Sequence, residues 1–232
     1  LFRAIEAGTV KAVWIIATNP VDSLPEADRV RAALRACDTV VVSDCVSDTD
    51  TLECADIALP ALAWGEKDGT VTNSERVISR QRSFLAAPGE ARPDWWALCQ
   101  VAKRLGFADA FDYRHPAQIF REYAAMTGLA RRFGKCLDLT AAAALTDSGY
   151  QQWTPRRWPF GESERCFSDA RFSTADGRAR LIPCAPPPAE CRSAELPLTL
   201  NSGRLRDQWH TMTRTGRAPM LFSHRDEPFV EI

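Results

Sequence analysis

Residues 63–76, AWGEKDGTVTNSER, set Glu66, Lys67 and Asp68 side by side before a glycine and then place Thr70, Thr72, Asn73 and Ser74. Short hydrogen-bonding side chains crowded around one cation suit a solvated turn, and equally a loop wrapped around an anionic, polar ligand. In the second case Lys67 meets a phosphate as a point charge; in the first it pairs with Glu66 or Asp68 at the surface. Asp44 ends an apolar run, where a carboxylate can accept paired hydrogen bonds from the N–H edge of guanine or cap the next helix. Residues 201–217, NSGRLRDQWHTMTRTGR, hold Arg204, Arg206, Arg214 and Arg217 around Trp209 and His210. Guanidiniums interleaved with hydroxyls suit a phosphate-bearing ligand, and Gly203 lets the backbone approach it closely. The plain alternative is a solvated basic strand pair with one core tryptophan. His115 and His224 stand singly and read as structural. No GxGxxG follows an expected strand and no GxxxxGK[ST] occurs, so a nucleotide bound here would be held by side chains.

The elements that must position these residues follow from periodicity. Residues 1–11 show helical spacing, and AVWIIAT (12–18) is a continuous apolar run of strand length ended by Asn19-Pro20. Residues 25–38 read as a helix with Val30, Leu34 and Cys37 on one stripe. TVVVSD (39–44) is a second strand, 48–55 a short helix, and DIALPAL (56–62) a third strand. Such apolar runs suit strands buried on both faces. Alternation of strand and helix predicts an α/β fold with a parallel, doubly wound sheet. Ligands of such sheets bind beyond the carboxyl ends of the strands, where three polar loops emerge: TNP, SDCVSD and WGEKDGTVTNSER. Further on, 92–107 reads as an amphipathic helix with Asp94 at its positive end, and 115–128 as a second helix. Residues 129–165 read as a helical or irregular connector, 171–183 as a hairpin turning at Asp176-Gly177, and 184–195 as a proline-rich linker. A strand opens a new region at 196.

The 232 residues are 45% hydrophobic with a net charge of −1, which is globular composition without the basic excess a nucleic-acid or membrane-surface binder needs. No apolar run spans a bilayer. The eight cysteines include no CxxC pair and read as reduced and mostly structural rather than as a zinc or iron–sulfur framework. Leu1 opens directly on a helical pattern and EPFVEI reads as an unfinished strand, so a piece of a longer protein is expected.

In order, WIIATNP, VVVSDCVSDTDT, ADIALPALAWGEKDGTVTNSERVISRQR, PGEARPDWW and LNSGRLRDQWHTMTRTG resemble the molybdopterin oxidoreductase (DMSO reductase) superfamily over nearly the whole chain. Within it, EKDGTVTNSERVISRQR, PGEARPDWW, QIFREYAAMTG and LRDQWHTMTRTG are most similar to the assimilatory nitrate reductase catalytic subunits. The resemblance implies a bis(molybdopterin guanine dinucleotide) molybdenum cofactor. By motif, its contacts are Asn19, Ser43, Asp44, Lys67 and Asp94, with Ser202 through Thr211 wrapping it, chiefly by Gly203, Arg204, Trp209 and His210. It also implies an α/β dinucleotide-binding domain over 1–107, a connector over 108–190 and the start of a C-terminal double-psi barrel over 191–232. A [4Fe–4S] cluster is implied too, but its ligands and the molybdenum-ligating cysteine are absent from this chain. No catalytic residue or metal ligand is therefore assigned here. The implied activity is reduction of nitrate to nitrite in nitrate assimilation, in the cytoplasm, with electrons from a reductase subunit, ferredoxin or flavodoxin. The fragment alone is expected to be inactive. The alternatives are a formate dehydrogenase of the same superfamily, a non-catalytic nucleotide-binding module, and a structural α/β domain with solvated loops.

Overall fold

The computed structural model describes residues 1–160, 167–185, 193–209, 212, 215–227 and 229–230. The chain falls into two compact units, Leu1–Pro60 with Cys184–Ile232, and Ala61–Pro183. These divide it at Pro60 and Pro183, where the sequence reading divides it at 107 and 190.

The first unit is α/β. Helix α1 (Phe2–Glu6) precedes strand β1 (Ala12–Ile16), followed by α2 (Pro20–Ser23), α3 (Ala27–Ala36), β2 (Thr39–Asp44), a 3-10 turn at Leu52–Cys54 and β3 (Ile57–Pro60). The strands form a parallel sheet in the order β1-β2-β3, with Ile16 opposite Ser43 and Asp44 opposite Pro60. Its core joins Ile15, Val40 and Val42 to Ile5 of α1, Val21 of α2, and Val30, Ala33 and Leu34 of α3. The expectation of strands buried on both faces does not hold in this unit. Burial alternates along β2, and Ile57 of β3 is 48% exposed. The helices named above cover one face, so side chains of the other stay partly open. In the later part of this unit, the alternating leucines Leu196, Leu198 and Leu200 are exposed and form no ladder among the described residues. A short helix, α7 (Pro219–Phe222), follows there.

The second unit is built on an antiparallel hairpin that the sequence reading takes for a loop. Strand β4 (Gly69–Thr72) pairs with β5 (Val77–Gln81), and β5 with the short β6 (Arg156–Arg157). Asn73 closes the turn: its side-chain oxygen accepts the N–H groups of Glu75 (3.0 Å) and Val77 (2.9 Å). Arg76 turns the corner at φ +68° and lies 5.4 Å from the Trp158 ring. Helices α4 (Asp94–Arg104), α5 (Pro116–Arg131) and α6 (Asp147–Gln151) complete the unit. His115 has the structural role expected of it, accepting the Ala117 N–H at the start of α5 while Gln118 reaches back to the His115 N–H. Ala117, Phe120 and Ala124 of α5 pack with Ile78, Leu139, Tyr150 and Trp153. By contrast, the apolar stripe of α4 remains open, with Leu98 and Val101 each 40% and Leu105 68% exposed. The expected hairpin at 171–183 keeps its turn, with Gly177 at φ +70°, but no strand forms on either side. Local Thr174 and Asp176 hydrogen bonds to residue 178 hold the turn instead of a cross-strand ladder.

Arg80 fastens this unit together. Its side chain is fully buried, ion-paired with Asp68, and hydrogen-bonded to the carbonyls of Tyr150 (3.1 Å) and Gln81 (3.0 Å). Its guanidinium stacks 4.0 Å from the Tyr150 ring centre. Removing one partner of a buried ion pair typically costs about 3–5 kcal/mol, because the other charge is left uncompensated. Asp68→Ala, which leaves the buried Arg80 guanidinium without its counter-charge, is therefore expected to lower the unfolding free energy of the second unit by about that amount in urea denaturation.

Candidate functional site

The candidate residues form three groups. In the first unit, parallel register brings the loops after β1 and β2 out at the same edge of the sheet. The chain leaves β1 through Ala17, whose φ of +54° is costly for a residue with a Cβ, and whose N–H binds the Ser43 carbonyl at 3.0 Å. Ser43 is buried and its hydroxyl accepts the Trp14 indole N–H at 2.8 Å, leaving the O–H to donate. One Asp44 oxygen accepts the Val46 N–H at 3.2 Å, a turn role beside the ligand role considered for it. Asn19 reaches across to the second loop: its oxygen accepts both the N–H (3.2 Å) and the hydroxyl (2.5 Å) of Thr51, and its amide donates to Asp22. Arg31 lies 2.8 Å from Asp50 and holds that carboxyl below its usual range. Burial, reinforced by a hydrogen bond with Asp50, pushes the neighbouring Asp22 up.

In the second unit the dense polar stretch resolves into separate tasks. Glu66 accepts the Ala63 N–H at 2.8 Å and closes a 3-10 turn at Trp64–Glu66. Asp68 serves Arg80, and Asn73 serves the hairpin. Only Lys67 turns to another candidate residue: its Nζ lies 3.3 Å from Asp94 Oδ2. Asp94 begins α4, where the helix dipole favours a negative charge. Its other oxygen is buried with no hydrogen-bond partner among the described residues. A buried, unpaired carboxylate oxygen is a costly arrangement unless a donor meets it.

The third group is the late basic stretch. Ser202 and Gly203 are exposed, and Arg204 stands 5.7 Å from the Trp209 ring. Asp207 bridges Arg206 and His224, which together draw its carboxyl down to about 2. A cavity of about 500 Å³ opens here, lined by Leu205, Arg206, Asp207, Gln208, His224 and Arg225. Arg217 pairs with Asp48 of the loop after β2, joining this stretch to the first group. His210 and Thr211 lie outside the described residues. Among the described residues no three His, Cys, Asp or Glu side chains gather to hold a metal, and no helix is long and apolar enough to cross a membrane.

Thr51 and Arg80 escape a reading by residue type. Thr51 sits in a polar DTDT run that resembles any helix start, and Arg80 in a run of charges that resembles a solvated face.

The first unit is an α/β unit with polar side chains gathered at its strand ends, the edge where parallel sheets of this kind bind ligands. Residues 1–104 match the family described as molybdopterin oxidoreductase. Over its whole length it is 51% identical to a nitrate reductase of Klebsiella oxytoca, spanning 27% of that protein. It is also 32% identical, over 96% of its length, to the F420-dependent formate dehydrogenase subunit alpha of Methanocaldococcus jannaschii, spanning 32% of that subunit. The acetylene hydratase of Pelobacter acetylenicus shares the fold with a TM-score of 0.55 at 17% identity, over 76% of this chain and 23% of that one.

Two outcomes test this geometry. Relief of the left-handed strain, about 1–2 kcal/mol, exceeds the roughly 0.5–1 kcal/mol entropic cost of glycine. Ala17→Gly should therefore leave stability unchanged or raise it by up to about 1.5 kcal/mol in thermal unfolding. The Asp207 pKa is depressed, so its contribution to folding is present above the ordinary carboxylate range and is lost as pH falls through about 2. Carboxyl-carbon NMR titration should show that midpoint, and Arg206→Ala should move it back up.

Proposed function

We propose that these residues belong to a molybdenum-dependent nitrate reductase, reducing nitrate to nitrite for assimilation in the cytoplasm, and that they cradle its bis(molybdopterin guanine dinucleotide) cofactor. The observation that carries the activity is the 51% identity to a nitrate reductase across the whole chain. The residues present fit the cofactor. Lys67 offers a cation for diphosphate, and the unpartnered Asp94 oxygen beside it offers an acceptor for amine or ring N–H groups. Ser43 and Asn19 supply donors at the sheet edge, Asp44 an acceptor for the guanine edge, and Arg204 a further cation for phosphate. When bound, the cofactor supplies the two-electron exchange with nitrate; this chain binds and orients its nucleotide ends.

The finer architecture belongs to the same proposal: a doubly wound sheet completed by the rest of the protein, a barrel beginning near residue 196, and a [4Fe–4S] cluster ligated outside this chain. Electrons would arrive from a reductase subunit, ferredoxin or flavodoxin. A second reading, a formate dehydrogenase, is favoured by the 32% identity to such a subunit.

The full-length protein decides between them. Purified enzyme should contain molybdenum, release guanine nucleotide on acid hydrolysis, and form nitrite from nitrate with a reduced viologen. Formate oxidation without nitrite formation would select the second reading. Guanine nucleotide without molybdenum would leave a non-catalytic nucleotide-binding module, and absence of both would leave a structural α/β domain. Losing a charge-assisted hydrogen bond costs about 1.5–3 kcal/mol, so Asp94→Ala should retain at most about a tenth of the wild-type molybdenum after gel filtration.

A further inference from the structure

We infer that Thr51 is a positioning residue that locks the Asn19 amide in one orientation, so that Asn19 presents only N–H to its ligand and contacts an acceptor, a phosphate or carbonyl oxygen. The inference deepens the proposed function and rests on it for the identity of the ligand, while the lock itself rests on hydrogen bonds within this chain.

Asn and Gln side chains carry a donor on one side and an acceptor on the other, and a flip exchanges what they offer. At Asn19 the choice is made by groups that have no choice. The Thr51 backbone N–H, 3.2 Å away, can only donate, so the atom facing it must be the amide oxygen. The Thr51 hydroxyl confirms the assignment by its valence. It accepts the Val21 N–H at 3.1 Å and so spends its own proton on the same Asn19 oxygen, at 2.5 Å. Thr51 is wholly buried, so water does not compete for these bonds. On its other side the Asn19 nitrogen donates to Asp22, an acceptor, which agrees with the same orientation. The Asn19 oxygen is thereby saturated, and what is left for a ligand is the second N–H of the amide.

Two further consequences follow from the same bonds. Val21 N–H binds Thr51 while the loop after β1 turns into α2, so one hydroxyl fixes both that loop and the side chain it carries. Thr51 lies 32 residues from Asn19, on the loop after β2, so correct presentation of Asn19 requires both loops to be in register.

The test uses Thr51→Val, which keeps the shape and removes the hydroxyl; Thr51→Ser, which keeps the hydroxyl; and Asn19→Asp, which keeps the acceptor toward Thr51 and replaces the donor toward the ligand. Molybdenum and guanine nucleotide content and Tm are measured for each full-length enzyme. Thr51→Val and Asn19→Asp should retain at most about a tenth of the wild-type molybdenum, a loss equivalent to at least about 1.4 kcal/mol of affinity, and Thr51→Ser at least half. Wild-type content in Thr51→Val, or content in all variants falling only in step with Tm, would overturn the positioning role. The lock is also read without cofactor, by hydrogen exchange of the Thr51 amide in the cofactor-free protein. It should be protected in the wild type and exchange at least tenfold faster in Asn19→Ala. An unprotected Thr51 amide in the wild type overturns the lock. A protected amide in a protein that never carries molybdenum or guanine nucleotide overturns the proposed ligand and leaves the lock standing.

Discussion

The in-register parallel pairing of β1 with β2 is the constraint on which the first unit depends. Because Ile16 sits opposite Ser43, the chain leaves both strands at the same level, and residues far apart in sequence emerge as neighbours. Everything polar at that edge uses this proximity: the Ala17 N–H on the Ser43 carbonyl, the Trp14 indole on the Ser43 hydroxyl, and Asn19 on Thr51. A slip of one residue would send Val40 and Val42 to the open face and separate the two loops. The packing of α1 and α3 against one face of the sheet therefore fixes the register, and the register places the polar edge.

The second unit solves a different problem, which is how to keep a polar hairpin folded. Most of its hydrogen-bonding side chains act within the protein. Glu66 closes a turn, Asp68 neutralises a buried guanidinium and Asn73 builds the hairpin corner. That division leaves Lys67 and Asp94 facing each other, with capacity to spare on the carboxylate. A binding residue in such a stretch is marked less by its type than by what its neighbours have already satisfied.

Legibility in sequence follows the same line. Strands β1, β2 and β3 and helices α3, α4 and α5 show plainly, because burial stamps a period on apolar residues. The hairpin β4–β5 does not, because its Thr70, Val71 and Thr72 are half-buried at most and lie among turn residues. Long resemblance motifs point to Lys67 and Asp94 but not to their contact, since pairing across 27 residues leaves no local signal. Thr51 and Arg80 are the extreme case. Each is a polar residue whose burial is complete, and burial of that kind is set by tertiary neighbours rather than by any window of sequence.

The open stripe of α4 has a consequence for how the chain behaves in bulk. Leu98, Val101 and Leu105 recur at helical spacing yet face water, so they carry the surface cost of apolar hydration without a partner to relieve it. Sulfate and similar salts, which are excluded from protein surfaces, raise that cost. Such salts are therefore expected to lower the solubility of this chain before the buried Arg80 and Asn19–Thr51 contacts are disturbed, and the still more exposed Leu196, Leu198 and Leu200 add to the same effect.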